Sequence, residues 1–119
     1  MSDSPKNLYK KLLGSSGEKR VEKYLKKLGC KILKRNYNTP FGEADLIVKD
    51  KDEIAFVEVK TRTGEGFGSP KDAVGTDTQR RYYQIAKWYW KELNEEPNAR
   101  FDVAEVFSDG TVNYIKNAF

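Results

Sequence analysis

Hydrophobic positions recur along the chain with two periods, and the changes between them mark out seven elements. Val21, Tyr24, Leu25 and Leu28 fall at helical spacing, with Lys19, Lys23, Lys26 and Lys27 on the other faces and Gly29 placed as a C-cap. Leu8, Leu12 and Leu13 extend this helix back to a start at Ser4-Pro5, with Gly14 and Gly17 as the positions where it would break in two. Three β-like stretches follow: Lys31 to Tyr37, Glu43 to Lys49 and Glu53 to Lys60, the last two joined by the polar turn Asp50-Lys51-Asp52. Gly64, Gly66, Gly68 and Gly75 predict a long loop from Thr61 to Asp77, with a short turn starting at Ser69-Pro70. A second helix from about Thr78 to Leu93 places Tyr82, Ile85, Ala86, Tyr89 and Leu93 on one face. Two strands, Arg100 to Phe107 and Thr111 to Ile115, close the chain around the hairpin signal Asp109-Gly110.

The order αβββαββ predicts an α/β sandwich in which a central mixed sheet is flanked by helices, with strand pairing left open. No internal repeat or linker interrupts the 119 residues, so one domain is expected over the whole chain. Fifteen aromatic residues are available to fill its core, more than a disordered chain would carry. No apolar run approaches the roughly 20 residues needed to span a bilayer, and Met1 to Lys11 lacks the apolar stretch of a signal peptide. A cytoplasmic protein with no membrane partner is the expectation. The single cysteine, Cys30, excludes an internal disulfide, and the absence of histidine removes the usual zinc sites. Any chemistry must therefore rest on carboxylates, lysine and a hard, oxygen-seeking cation.

The net charge of +4 is unevenly spread, since residues 1 to 35 carry 11 Lys/Arg against three acids. A basic flank that attracts a polyanion, beside an acidic cluster that holds a cation, accounts for this as well as a solvated lysine-rich helix face does. The acids stand out on the strand Ile54-Ala55-Phe56-Val57-Glu58-Val59-Lys60. Both of its faces begin apolar, the mark of a central strand, and Glu58 and Lys60 emerge on one side near its end, about 6.6 Å apart. On the preceding strand, alternation puts Asp45 with Ile47 on one face and Ala44, Leu46 and Val48 on the other. If the two strands pair as a hairpin, Asp45 lies beside Glu58, and the two carboxylates either share a proton or take a divalent ion between them. Mg2+ or Mn2+ would use both acids, the Val59 carbonyl and several waters, with Lys60 placed to orient or deprotonate a water or to stabilise a phosphorane-like transition state. The plainer reading is a Glu58–Lys60 ion pair at a strand end, with Asp45 in a turn. Glu18 sits on the apolar stripe of helix one and points toward this site, or else it closes a capping box in Ser15-Ser16-Gly17-Glu18; the two readings stand level.

The stretches Gly42-Glu43-Ala44-Asp45-Leu46-Ile47, Phe56-Val57-Glu58-Val59-Lys60-Thr61-Arg62, Phe67-Gly68-Ser69-Pro70 and Arg100-Phe101-Asp102-Val103 resemble the YraN family, and the resemblance runs from Gly17-Glu18 to Asn117-Ala118-Phe119. That family resembles Holliday-junction resolvases and belongs to the PD-(D/E)xK nuclease superfamily. The resemblance therefore implies a restriction-endonuclease-like sandwich and a metal-dependent endonuclease. On the superfamily pattern the first acid falls on Asp45, the second on Glu58, the lysine on Lys60 and the helix-one acid on Glu18. Gln79 and Tyr83 match a QxxxY pattern of some recombination nucleases, in which the glutamine supports the site; as two neighbours on a helix they need no such role, and that reading is preferred. Ala44 stands where the superfamily's name has proline, and the same fold also hosts inactive binding modules.

Arg62, Arg80, Arg81 and Lys87 follow the motif strand and are the expected phosphate contacts. Phe67 is placed to stack on bases, although a core-facing aromatic that anchors its loop is preferred. Trp88 and Trp90 lie on adjoining helix faces, where nucleic acid or the second subunit of a homodimer would cover an exposed ring equally well. With no base-reading motif, structure-selective binding to branched DNA is expected. The competing functions are a Mg2+- or Mn2+-dependent endonuclease on structured DNA, a non-catalytic nucleic-acid-binding or partner-recruiting module and, last, an adaptor with no nucleic-acid role.

Overall fold

Every strand hydrogen-bonds its neighbours in the chain, so the five strands stand in the sheet in sequence order. The computed structural model describes residues 5–62 and 74–119, with side chains from residue 16 onward. The elements are α1 (Pro5–Lys27), β1 (Lys31–Thr39), β2 (Gly42–Asp50), β3 (Glu53–Arg62), α2 (Thr76–Leu93), β4 (Ala99–Phe107) and β5 (Val112–Ile115). The first three strands form an antiparallel meander, β3 and β4 are parallel, and β5 returns antiparallel to β4. The parallel pair requires a crossover, which carries α2. The fold is thus α/β, a five-stranded mixed sheet flanked by two helices, as the order of elements predicts. Most of the glycine-rich loop, with Phe67 and the Ser69-Pro70 turn, lies outside the described residues.

β3 is the central strand, and its two apolar faces serve two cores. Ala55 and Val57 meet Val21 and Leu25 of α1, together with Leu46, Val48, Ala104 and Val106. Ile54 and Phe56 meet Tyr82, Ile85, Ala86 and Tyr89 of α2, together with Tyr37, Ala44 and Ile47. Phe56 is fully buried, with ring centroids of Tyr89, Trp90 and Phe101 at 6.0, 6.1 and 5.6 Å. Pairs of this kind contribute about 0.5–1.5 kcal/mol each beyond area burial, so α2 is clamped to the sheet directly below the predicted site.

α1 runs unbroken through Gly14 and Gly17, the weak positions of the extended helix. Gly17 faces the sheet: a Cβ added there would lie 3.0 Å from Thr61 Oγ1 and 3.7 Å from Val59 Cγ1. The close approach of helix and sheet offsets the roughly 1 kcal/mol that glycine costs inside a helix. Ser15-Ser16-Gly17-Glu18 therefore lies within the helix, and Glu18 closes no capping box. Among the described residues no helix is long and apolar enough to cross a membrane.

Candidate active site

The regular β2–β3 ladder ends at Leu46 opposite Val57, one residue short of the two acids. At that point β2 turns over. Leu46 and Val48 face α1, but Ala44 packs with Ile47 on the α2 side, where strict alternation had placed it with Leu46. The same reversal crosses β1, where Tyr37 faces α2, Arg35 pairs with Glu22 of α1 at 2.8 Å, and Asn36 between them has φ 48°. Asparagine is among the few residues that adopt this left-handed conformation at low cost.

The phenol of Tyr82 fills the gap this opens. Its hydroxyl accepts from the Asp45 N–H (3.3 Å) and donates to the Val57 carbonyl (3.2 Å), so it replaces a rung of the ladder. Asp45 is freed to turn its side chain into the strand edge, where Oδ2 accepts the Val59 N–H at 2.8 Å. Tyr82 is fully buried. Tyr82→Phe leaves a buried donor and acceptor without partners, so it is expected to cost about 1–3 kcal/mol in urea unfolding. An unchanged midpoint would show that β2 and β3 close the rung directly.

Asp45 and Glu58 meet here as paired strands require, and their carboxyl groups are in hydrogen-bond contact. Burial first, and then Asp45, pushes the Glu58 carboxyl up to about 8, against the partial relief of Lys60 and Arg81. A Glu58 carboxyl raised this far keeps its proton at neutral pH. Lys60 is half-buried two residues along β3 and makes no ion pair with the described residues, so the expected alternative of a Glu58–Lys60 pair is not seen. Glu58 instead binds Arg81, Nη2 to Oε2 at 2.9 Å, and Arg81 Nε is buried without an acceptor. Arg81, expected at a phosphate, is thus placed on Glu58 of the acid pair.

Glu18 approaches the pair from the α1 side. Burial, then Asp45 and Glu43, pushes its carboxyl up to about 7. With its amide nitrogen turned toward these acids, Asn36 lies 3.3 and 3.1 Å from the Glu18 oxygens and 2.9 Å from Glu43 Oε1. Sequence reasoning missed Asn36, Glu43, Tyr82 and the Arg81–Glu58 contact. Only Glu43 carried a local signal, two residues before Asp45 on the same strand.

The remaining candidates are dispersed. The Gln79 amide donates to the Val74 carbonyl at 3.2 Å, ahead of α2, and Tyr83 is exposed with its ring edge-on to Phe101 at 5.0 Å. Arg62 bonds the buried Glu105 at 3.2 Å, Arg80 lies 3.9 Å from Asp77 in the open, and Lys87 is exposed. Among the described residues no three of His, Cys, Asp and Glu converge closely enough to hold a metal ion by themselves. Mg2+ is ordinarily held by one or two carboxylates and several waters, and the half-buried Asp45 beside the buried Glu58 suits that donor set.

A family model described as "Uncharacterised protein family UPF0102" matches residues 17–106. A UPF0102 protein of Desulfosudis oleivorans is 47% identical over 108 residues, covering 89% of this chain and 88% of that protein. UPF0102 protein TTE1452 of Caldanaerobacter subterraneus subsp. tengcongensis is 43% identical over 121 residues (96% and 99%). UPF0102 protein THEYE_A1950 of Thermodesulfovibrio yellowstonii is 41% identical over 107 residues (90% and 95%). The matched segment runs from Gly17, which seats α1 on the sheet, through both acids to Val106 near the end of β4, and the chain belongs to UPF0102, the YraN family.

Proposed function

We propose that this chain is a Mg2+- or Mn2+-dependent endonuclease that hydrolyses phosphodiester bonds in branched or otherwise structured DNA. One observation carries the reading: Asp45 and Glu58 bring their carboxyl groups into contact where β2 leaves β3, in surroundings that oppose leaving both charged. A divalent cation bound there would polarise the phosphate and supply an activated water. Asp45, Glu58 and the Val59 carbonyl would hold it, with Glu18 as a further acid on the α1 side. Lys60 would orient or deprotonate the water, or oppose charge developing on the phosphorus oxygens. Gln79 acts at a distance, by holding the Val74 carbonyl at the start of α2. Arg80 and Lys87 offer cations to phosphates, and Arg62 and Arg81 would do so by exchanging Glu105 and Glu58 for them.

The Arg81–Glu58 ion pair favours a second reading, a non-catalytic nucleic-acid-binding or partner-recruiting module, because an internal cation already answers part of the acid charge. Calorimetric titration of Mg2+ and Mn2+ into the wild type and Asp45→Asn separates the two. The endonuclease reading expects one binding event that Asp45→Asn removes, together with cleavage of junction, flap or single-stranded DNA. Metal binding without cleavage of any of these substrates would support the module instead.

A further inference from the structure

Phe41 is a large apolar side chain held out in solvent. It is 48% exposed at the tip of the β1–β2 turn. The turn is clasped by Thr39, whose Oγ1 accepts the Phe41 N–H at 3.1 Å and donates to the Gly42 carbonyl at 2.8 Å. The ring stands edge-on to Trp88 of α2, centroids 6.2 Å apart at 73°. Trp88 is itself held by its Nε1, which donates to Glu92 at 3.1 Å. Gly42, at φ 129°, lies against the Arg81 side chain, so closely that a Cβ there would collide with Arg81 Cδ. Arg81 then reaches Glu58. Phe41 is therefore joined to the acid pair through one glycine and one arginine.

The helix beside this ring carries an excess of positive charge. Arg80, Gln84, Lys87 and Lys91 are exposed at helical spacing, against Asp77 in the first turn, 3.9 Å from Arg80, and Glu92 at the Trp88 ring N–H. An apolar peptide would leave these cations unmatched, and a second copy docked face to face would set the stripe against itself. A base carried on a phosphate backbone matches both the ring and the charge.

We propose that Phe41, backed by Trp88, is a stacking platform for an unpaired nucleobase whose flanking phosphates lie on Arg80 and Lys87. This deepens the nuclease reading by naming single-stranded or splayed nucleic acid as what enters the site, but binding here requires neither metal nor turnover.

The test is anisotropy of labelled single-stranded, junction and duplex DNA in EDTA, with 2-aminopurine as a stacking probe. Phe41→Ala is expected to weaken single-strand and junction binding roughly tenfold and to abolish the change in probe fluorescence. Duplex binding and the salt slope should stay unchanged. An Arg80→Gln, Lys87→Gln double variant should instead lower the single-strand salt slope by about 1.4, or about 0.7 per phosphate. Circular dichroism checks that both variants remain folded.

The platform is overturned if folded Phe41→Ala binds single strands like the wild type, or loses duplex and single-strand affinity equally. It is also overturned if the wild type binds no nucleic acid in EDTA, or if sedimentation shows a dimer that Phe41→Ala dissolves. Because metal is absent throughout, failure of cation binding at Asp45 and Glu58 would leave this result untouched, and the reverse holds as well.

Discussion

Asp102→Ala is expected to lower the stability by about 3–5 kcal/mol, read as a fall in the urea midpoint, while Asp102→Asn should lose less because it keeps the shape and some of the bonds. Asp102 is fully buried on β4 and accepts from three donors. Arg100 Nε lies 3.2 and 3.0 Å from its two oxygens, the Tyr114 hydroxyl is at 2.6 Å, and the Asn117 N–H is at 3.0 Å. Arg100, itself buried, also pairs with Asp50 at 2.9 Å and Glu53 at 3.1 Å. The cluster ties the β2–β3 turn to β4, β5 and the chain end. Removing Asp102 takes the acceptor from Arg100 Nε, the Tyr114 hydroxyl and the Asn117 N–H at once and leaves the buried guanidinium to Asp50 and Glu53, and the cost comes from those under-compensated groups rather than from lost attraction. Arg100-Phe101-Asp102-Val103 is one of the four stretches that carry the family resemblance, and its charged residues act in folding: Arg100 and Asp102 stand opposite Ala55 and Val57 of β3 and bond Asp50, Glu53 and Tyr114. A small loss from Asp102→Ala would show that Arg100 finds enough support in Asp50 and Glu53 alone.

Affinity for Mg2+ is expected to rise roughly tenfold per pH unit between about pH 6 and 8, with about one proton released for each ion bound. The sign follows from Glu58, whose carboxyl is raised from 4.5 to about 8 by burial and by Asp45. Between those two values the folded protein keeps a proton that the unfolded chain has lost. In the absence of metal, this group therefore lowers stability as pH climbs through that window, and has no such effect below 4.5. A cation binds only the deprotonated pair, so it must displace the proton at low pH and need not above about 8. Glu18, raised to about 7, steepens the dependence if it joins the ion. Calorimetry in two buffers of different protonation enthalpy counts the protons directly. Affinity that stays level across this range would mean that the ion does not engage Glu58. Asp45→Asn should flatten the curve as well as weaken binding.

Seven elements and the pairing of acids were legible in the sequence because both depend on residues close together in the chain. Alternation over Ile54 to Lys60 shows a strand buried on both faces, and the polar turn, Lys51-Asp52 between the paired Asp50 and Glu53, leaves β2 little choice but to fold back on β3. Asp45 and Glu58 then become neighbours by register alone. Period-2 reasoning failed at Ala44, where it presumes a continuous ladder, since the strand turns over at Asp45. The cause lies 37 residues away, in the Tyr82 hydroxyl that takes the place of one rung.

By itself, then, the sequence determined which segments become helix and strand, that β3 lies at the centre, and that two carboxylates and a lysine gather at its end, because local periodicity records burial. Only tertiary structure decided that β4 runs parallel beside β3, that Arg81 pairs with Glu58, that Glu18 leaves its capping alternative for the acid cluster, and that Asp102 serves the fold. Each of these depends on how helices dock against the sheet, which brings together groups such as Glu58 and Arg81, 23 residues apart, that no local pattern links.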